Sequence, residues 1–261
     1  MSIPDIAAQG YELGGDDYER ARPSYPPQAV ALLTRELRIG PGATVLDLGA
    51  GTGKLTRLLQ PTGATLLAVE PVEAMRRHLA ALADVQVLEG TAEAIPLEDA
   101  SIDSVVVGTA FHWFRGEEAL AEIVRVLKPQ GGLGLVWNNP DYDVDWVAEI
   151  WDLVGTKRRS APRNRDMTWK KAFASTQSLT PLRHRRFSHS QHLGLDGLIA
   201  RVRSIAFVAS LPPGEREALL EQVREIARNH PQLDGREDLG LPYRTDVYWC
   251  RRREPGPRTE A

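Results

Sequence analysis

Two carboxylates and three glycines stand where their types and spacing could do chemistry. Asp47 opens the run Asp-Leu-Gly-Ala-Gly-Thr-Gly, in which Gly49, Gly51 and Gly53 alternate with Ala50 and Thr52, and Glu70 closes the next apolar run, Thr65-Leu-Leu-Ala-Val-Glu. Glycine has no Cβ to hold a ligand off a turn, and the N–H groups that open a helix carry partial positive charge towards whatever lies there. A carboxylate at the end of a neighbouring strand can accept both hydroxyl protons of a ribose. The pair predicts a nucleoside site at the turn. Glycine turns also join strands to helices in α/β proteins that bind nothing there, so the loop alone leaves both readings open.

Spacing narrows the choice. Dinucleotide sites use Gly-x-Gly-x-x-Gly, whereas this chain has Gly-x-Gly-x-Gly preceded by Asp47. A phosphate-binding loop would need glycine where Leu48 stands and a hydroxyl where Leu55 stands. What remains, Asp-x-Gly-x-Gly-x-Gly with a downstream acid, resembles the signature of the class I S-adenosylmethionine-dependent methyltransferases. The resemblance implies S-adenosyl-L-methionine as cofactor. It assigns Asp47 to the loop and the cofactor's amino-acid end, Glu70 to the ribose diol, and surrounding contacts to Gly49, Ala50, Gly51, Thr52, Gly53, Pro71, Met75 and Thr109.

The elements that must position these residues alternate regularly. Pro26-Pro27 opens a helix with Val30, Leu33 and Leu37 on one face, and Gly40-Pro41-Gly42 ends it. Apolar runs then predict strands at 43–48, 65–70, 85–88, 104–107 and 133–137, with helices at 52–60, 71–82 and 117–127 between them. Units of this length predict a parallel sheet covered on both faces, with the strand ends carrying Gly49, Glu70, Glu89 and Gly108 along one edge. After Trp137 the rhythm changes. Residues 138–180 hold aromatic and basic side chains without it, 182–192 alternates weakly like a strand, and 195–228 reads as helical with a break at Leu211-Pro-Pro-Gly. A last strand, 245–250, precedes a charged tail; the family places an antiparallel final hairpin on its sheet, and the two late strands stand where it would form. The expected fold class is therefore α/β: a Rossmann-like, seven-stranded, mostly parallel sheet with helices on both faces and a helical lid. One domain spans 1–261, with a cofactor core at about 40–138 and an acceptor-binding lid from 1–30 and 140–235.

Composition agrees with that architecture. A length of 261 residues with 42% hydrophobic and 26% charged residues suits a globular protein with a full core. No run is long enough for a membrane span, and Met-Ser-Ile-Pro-Asp lacks the basic start and apolar stretch of a secretory signal, which predicts a cytoplasmic protein with no membrane partner. Cys250 is the only cysteine, which excludes an internal disulfide and a cysteine-based metal cluster. A net charge of -3 gives no global attraction to nucleic acid.

The likeness extends past the first loop. Leu88-Glu-Gly-Thr-Ala-Glu resembles the family's adenine-contacting stretch, which assigns Thr91, Ala92 and Glu93 to the base. Gly108-Thr-Ala-Phe-His-Trp-Phe, Val126-Leu-Lys-Pro-Gln-Gly-Gly, Leu135-Val-Trp-Asn and Pro242-Tyr-Arg-Thr-Asp-Val-Tyr resemble a small-molecule subgroup that includes trans-aconitate methyltransferases. Tyr18, Arg20, Arg22, Pro23 and Tyr25 match that subgroup's N-terminal segment, which folds over the cofactor; Tyr18 and Arg22 are thereby assigned to the methionyl carboxylate. The chain departs from the subgroup at Ser204-Ile-Ala-Phe, which lacks a phenol found there.

His112 follows the fourth strand, where it could orient or deprotonate an acceptor, or satisfy a backbone group while Phe111, Trp113 and Phe114 wall the pocket. Trp113 and Trp137 are expected at the acceptor. His184 and His189 lie five residues apart on a strand, hence on opposite faces, and with His192 read as surface residues; no metal site is expected. Lys157, Arg158, Arg159, Arg163, Arg165, Lys170 and Lys171 crowd one segment opposed only by Asp166. That run can be a solvated loop, an anchor for an anionic small molecule, with Arg158 and Arg159 as its contacts, or a nucleic-acid contact. Against the last, base-amino methyltransferases carry an Asp/Asn-Pro-Pro-aromatic segment after the fourth strand, where this chain has Thr-Ala-Phe-His; Asn138-Asn-Pro-Asp-Tyr follows the fifth and reads as a turn cap. The expected reaction is methyl transfer to an oxygen, carboxylate or hydroxyl, of a small organic acceptor. Nucleic-acid or protein methylation, and a cofactor-binding protein without transfer, stand as the alternatives.

Overall fold

The structure, a computed structural model, describes residues 21–157 and 166–254. Helix α1 (Pro27–Leu37) starts with proline in its first turn, where the missing N–H has no partner to lose, and stops at Arg38 in the left-handed region. Its apolar face, Ala29, Leu32, Leu33 and Leu37, is buried. Five parallel strands follow: β1 (Thr44–Leu48), β2 (Thr65–Val69), β3 (Val85–Leu88), β4 (Ile102–Gly108) and β5 (Leu127–Pro140). Between them run α2 (Lys54–Leu59), α3 (Glu73–Leu79) and α4 (Gly116–Val126). Two late strands, β6 (Arg183–Gln191) and β7 (Leu241–Arg251), complete one seven-stranded sheet of order β3-β2-β1-β4-β5-β7-β6, in which β7 is antiparallel to both neighbours.

β1 lies between β2 and β4, so the chain leaves it towards one edge and later returns to its other side. The crevice outside the carboxyl ends of β1 and β4 is the point where an open α/β sheet accepts ligands. β1, β2 and β4 are buried almost throughout, as strands covered on both faces must be. One face packs Leu46, Val105, Ile123, Leu133 and Trp137 with α4; the other packs Leu33, Leu37, Val45, Leu59 and Val106 with α1 and α2. The short α6 (Lys171–Ser175) separates α5 (Asp145–Thr156) from α7 (Leu195–Arg203), and a third cluster joins α5, α7, α8 (Ala206–Ala209) and α9 (Pro213–Asn229) to the start of β7 through Trp146, Ile150, Leu198, Leu220 and Tyr243.

Several boundaries differ from the sequence reading. Strand β5 begins at Leu127, before the expected turn, because Ile102 pairs with Leu127 while Ser104 pairs with Gly132; residues 128–131 are accommodated as an irregularity, with Gln130 at φ 62°. Helix α3 starts only at Glu73, since Val72 is extended. The long helix expected over 195–228 breaks also at Ile205, which is extended at ψ 123°. Within 138–180, read without rhythm, α5 buries Trp146, Val147, Ile150, Trp151 and Val154, which fall on one helical face. Asn138, Asn139 and Pro140 pair with Thr245, Arg244 and Tyr243 on β7, so they extend a strand instead of capping a turn, and the turn follows at Asp141–Val144. His192 is exposed, as expected, but His189 turns inward and stacks on Tyr243, where burial lowers its pKa. His184 stays partly exposed yet binds the buried Asp246 carboxylate at 2.7 Å. Among the described residues no helix is long and apolar enough to cross a membrane, and no group of ligating side chains could hold a metal ion.

Leu198 is fully buried at the centre of the helical cluster. Leu198→Ala should lower the unfolding free energy by about 2–5 kcal/mol, the range for a cavity left in a well-packed core. Urea denaturation followed by circular dichroism measures this; a change below about 1 kcal/mol would mean that the cluster is not packed as described.

Candidate active site

The turn after β1 forces the backbone where only glycine is comfortable. Gly49, Gly51 and Gly53 have φ of 69°, 59° and 83°. Gly49 and Ala50 donate to the Val69 carbonyl at 2.8 and 3.2 Å, which ties the turn to the end of β2. At Gly51 a Cβ would meet nothing within 4 Å, because the residue faces open space. Gly53 differs. It caps α2, lines neither pocket described below, and a Cβ there would lie 2.8 Å from the Leu79 side chain.

Glu70, 5% exposed, accepts from the Gly51 N–H at Oε2 and from the Val72 N–H at Oε1, both at 2.9 Å. Burial raises its pKa, and the two N–H groups oppose the rise. Asp47, 2% exposed, accepts from Thr56 Oγ1 at 2.6 Å through Oδ2, while its Oδ1 is buried without a hydrogen-bond partner. Burial pushes its pKa up to about 7, against the Thr56 bonds and with a smaller contribution from the Glu70 charge. Glu93 accepts from the Arg115 N–H at 2.8 Å, and its other oxygen, like Thr52 Oγ1, is buried and unpartnered. Buried polar atoms are normally satisfied, so unpaired acceptors around one crevice mark where a ligand's donors belong.

Two adjoining pockets share Gly49, Gly51, Gly108 and Thr109. The first, about 630 Å³, brings together Glu70, Pro71, Met75, Thr91, Ala92, Glu93 and Trp113. The second, about 530 Å³, brings together Arg22, Asp47, Ala50, Thr52, Lys54, Asn138 and Arg201. Carboxylates dominate one end and cations the other. Such a cleft fits a ligand with hydroxyl and amine donors at one end and a carboxylate at the other, the polarity of S-adenosylmethionine. In such a guest the ribose diol would face Glu70, the adenine amine the free Glu93 oxygen, and the amino-acid group Arg22 and Asp47.

Trp113, expected at the acceptor, lines the first pocket beside Met75. Trp137 is fully buried and lines neither pocket; its indole N–H donates to His112 Nδ1 at 3.2 Å. His112 lines neither pocket; it sits in a short turn, Phe111–Trp113, between Ala110 and Trp113, which line the first. Tyr18, Arg158 and Arg159 lie outside the described residues.

Sequence reasoning missed Arg201 and Asn138. Arg201, 3% exposed, donates to Tyr243 Oη at 2.8 Å and lies 5.8 Å from the Trp151 ring centroid. Its signal was a cation on the same helical face as Leu198 and Val202. Asn138 donates to the Ser24 carbonyl at 3.0 Å and accepts from Thr245 Oγ1 at 2.6 Å, partners that no local pattern announces.

Comparison with known proteins gives a consistent result. Residues 46–135 match the Methyltransferase domain family. An uncharacterized methyltransferase of Mycobacterium tuberculosis is 41% identical over 87% of this chain and 89% of its own. An uncharacterized methyltransferase-like protein of Schizosaccharomyces pombe is 37% identical over 89% of this chain and 91% of its own. A putative type II methyltransferase from Anaeromyxobacter dehalogenans shares the fold, with a TM-score of 0.61 at 20% identity over 89% of this chain and 97% of its own.

Two outcomes follow from the geometry. Glu70→Ala should remove hydrogen bonds of an ionised acceptor, about 1.5–3 kcal/mol, and weaken S-adenosylhomocysteine binding about tenfold to hundredfold by calorimetry; unchanged affinity would remove Glu70 from the site. Asp47 has a folded pKa of about 7, above its unfolded value near 3.8, so its contribution to stability is present below about pH 4 and is lost as pH rises through 7. Without ligand, Asp47→Asn should therefore raise the unfolding free energy, read from urea denaturation, more at pH 8 than at pH 5, by an amount on the order of a few kcal/mol at the higher pH. An equal effect at both pH values would show that Asp47 titrates normally.

Proposed function

The chain belongs to the class I S-adenosylmethionine-dependent methyltransferases, and from that premise we propose that it methylates an oxygen of a small anionic organic molecule. The observation that carries this reading is Arg201, a buried guanidinium that reaches the cleft from the helical cluster while most other lining residues come from the turn, the strand ends and the N-terminal segment. A cation there suits an acceptor with a carboxylate or a similar anionic group. Arg22 and Lys54 strengthen the same field, and Arg22 also ties the N-terminal segment to the Ser204 carbonyl at 3.1 Å. The cleft is thereby roofed by α7 and the segment around Tyr25, which favours a small guest over a polymer. The trans-aconitate subgroup likeness, carried by the Gly108–Phe114 stretch and the residues around Tyr25, points the same way.

When bound, S-adenosylmethionine supplies a methyl group on a sulfonium sulfur, open to in-line attack by an oxygen lone pair. In this proposal the protein contributes orientation and exclusion of water. Glu70 and Glu93 fix the nucleoside, Asp47 and Arg22 fix the amino-acid end, and Arg201 aligns the acceptor from the opposite wall.

Arg201→Gln should raise the acceptor KM about tenfold to hundredfold, the worth of a charge-assisted hydrogen bond, while S-adenosylhomocysteine affinity stays within about twofold. Steady-state kinetics on whichever small acids give methylated product, with calorimetry on the same variant, measures both. Methylation of RNA, DNA or protein in place of small acids, with salt-sensitive binding to the polymer, would replace this reading with a macromolecular one.

A further inference from the structure

Two amide side chains hold the irregular segment beside the cleft, and the orientation of each follows from its partners. Arg22 to Tyr25 form neither helix nor strand, so the segment's backbone carbonyls depend on side chains or solvent for donors. Gln191 Nε2 donates to the Ala21 carbonyl and Asn138 Nδ2 to the Ser24 carbonyl, both at 3.0 Å. A carbonyl only accepts, so each amide must turn its nitrogen to the segment and its oxygen away. Those oxygens accept from β7: Tyr243 Oη donates to Gln191 Oε1 at 3.3 Å, and Thr245 Oγ1 donates to Asn138 Oδ1 at 2.6 Å. Each hydroxyl has then spent its one proton, so its second neighbour must be a donor. Arg201 Nε is one, 2.8 Å from Tyr243 Oη, and His189 Nδ1 is the other, 3.2 Å from Thr245 Oγ1. Burial lowers the pKa of His189, which leaves the neutral ring one proton for Nδ1.

The register of the late strands puts both chains of hydrogen bonds on one face of the sheet. His189 and Gln191 alternate along β6, Tyr243 and Thr245 along β7, and Asn138 on β5 pairs with Thr245. Tyr243 and Thr245 are fully buried, and His189 stacks on the Tyr243 ring at 5.4 Å. Within each chain every bond points the same way, towards the segment, an alignment in which successive bonds polarise one another. The two carbonyls so held, Ala21 and Ser24, flank Arg22, which lines the second pocket with Tyr25.

We infer that Gln191, Tyr243, Thr245 and Asn138 are positioning residues for the cofactor's amino-acid end: their two bridges fix the backbone on both sides of Arg22, so that its guanidinium meets the ligand from a segment already ordered. The inference rests on the placement of the amino-acid group beside Arg22. It moves part of the cofactor's affinity out of the glycine turn and into β6 and β7, at the other side of β5 from β1. Where a bridge is lost, the ligand itself must order the segment, and that entropy is subtracted from its affinity. Only a ligand that reaches the segment bears the cost. The nucleoside side, with Glu70, Met75 and Glu93 in the first pocket, shares none of the four residues. Tyr243 also holds Arg201, so the test leaves Tyr243 untouched.

Calorimetry with two ligands separates this role from a structural one, because S-adenosylhomocysteine carries the amino-acid end and 5′-methylthioadenosine lacks it. Gln191→Glu keeps an oxygen for Tyr243 but turns another towards the Ala21 carbonyl, and Thr245→Val keeps the shape of the side chain without its hydroxyl. Each should weaken S-adenosylhomocysteine about tenfold, the worth of roughly one net hydrogen bond, and leave 5′-methylthioadenosine within about twofold. Thr245→Ser, which keeps the hydroxyl, should bind both ligands as the wild type does. Hydrogen exchange without ligand should be faster at the amides of Arg22, Ser24 and Tyr25 in the two weakened variants and unchanged in Thr245→Ser. Gln191 is partly exposed, so Gln191→Glu carries the test should Thr245→Val fail to fold. The inference is overturned by equal losses for the two ligands, by unchanged S-adenosylhomocysteine affinity, by unchanged exchange in the segment, or by Thr245→Ser behaving as Thr245→Val. Arg22→Gln tests the placement beneath it. If that variant leaves the ratio of the two affinities unchanged, or if the wild type binds the two ligands equally or binds neither, the placement of the amino-acid end is refuted and the inference falls with it. A ratio that changes in Arg22→Gln but not in Gln191→Glu or Thr245→Val refutes the inference alone.

Discussion

The Gly51 N–H donated to Glu70 Oε2, at 2.9 Å and almost out of water, locks a carboxylate onto two loops that backbone bonds from Gly49 and Ala50 to Val69 already hold together. One follows β1 and the other follows β2, and they meet because those strands are parallel neighbours in register, Leu48 opposite Val69. The bond requires the turn to pass through the left-handed region, which is why the chain puts glycine there. It also orders the carboxylate before any ligand arrives, so a diol would meet acceptors whose rotamer entropy has already been lost. The unpartnered atoms of Asp47, Thr52 and Glu93 take their positions from that turn or from the next strand end along the same edge.

Burying acceptors without donors is unfavourable for folding, and the chain concentrates that cost in the cleft. Asp47 shows it most directly: burial, helped by the nearby Glu70 charge, lifts its pKa to about 7 against the Thr56 bonds. Two acids elsewhere in the sheet are satisfied: Asp103 accepts from the Thr44 N–H and from Lys128, and Asp246 from His184 and Arg186. The contrast separates structural acids, which have counter-ions within the protein, from acids whose hydrogen-bond capacity is left over for a guest.

How much of this was legible in the sequence follows from where each signal lies. Strands β1, β2 and β4 are buried on both faces, so they appear as short apolar runs that local composition reveals, and the glycines mark the turn by type alone. Helix α5 carries the same kind of signal, with Trp146, Val147, Ile150, Trp151 and Val154 on one face, but its aromatic residues obscured the period. Long-range partners were not legible. That Asn138 belongs to a strand depends on β7, about a hundred residues later, and that Arg201 faces the cleft depends on how α7 packs against Tyr243. Start points such as Leu127 were misjudged because the register shift against β4 is a property of two strands, not of one.

Thr109 brings these threads to one residue. It is β-branched yet sits at φ 53°, a conformation that costs roughly 1–3 kcal/mol and persists only where its surroundings impose it. Two contacts do so. Its N–H donates to the Val136 carbonyl at 2.8 Å, which extends the pairing of β4 with β5 past its natural end, and its hydroxyl lies 2.9 Å from Tyr25 Oη. Tyr25 can come so close only because the preceding residue is glycine; a Cβ on Gly108 would stand 2.8 Å from that phenol oxygen. Thr109 lines both halves of the cleft, so the strained residue is the floor on which the two pockets meet. Tyr25 belongs to the segment that Arg22 anchors to the helical cluster at Ser204. A displacement of that cluster is therefore felt at the strained end of β4, which makes the roof of the cleft and its floor parts of one mechanical unit.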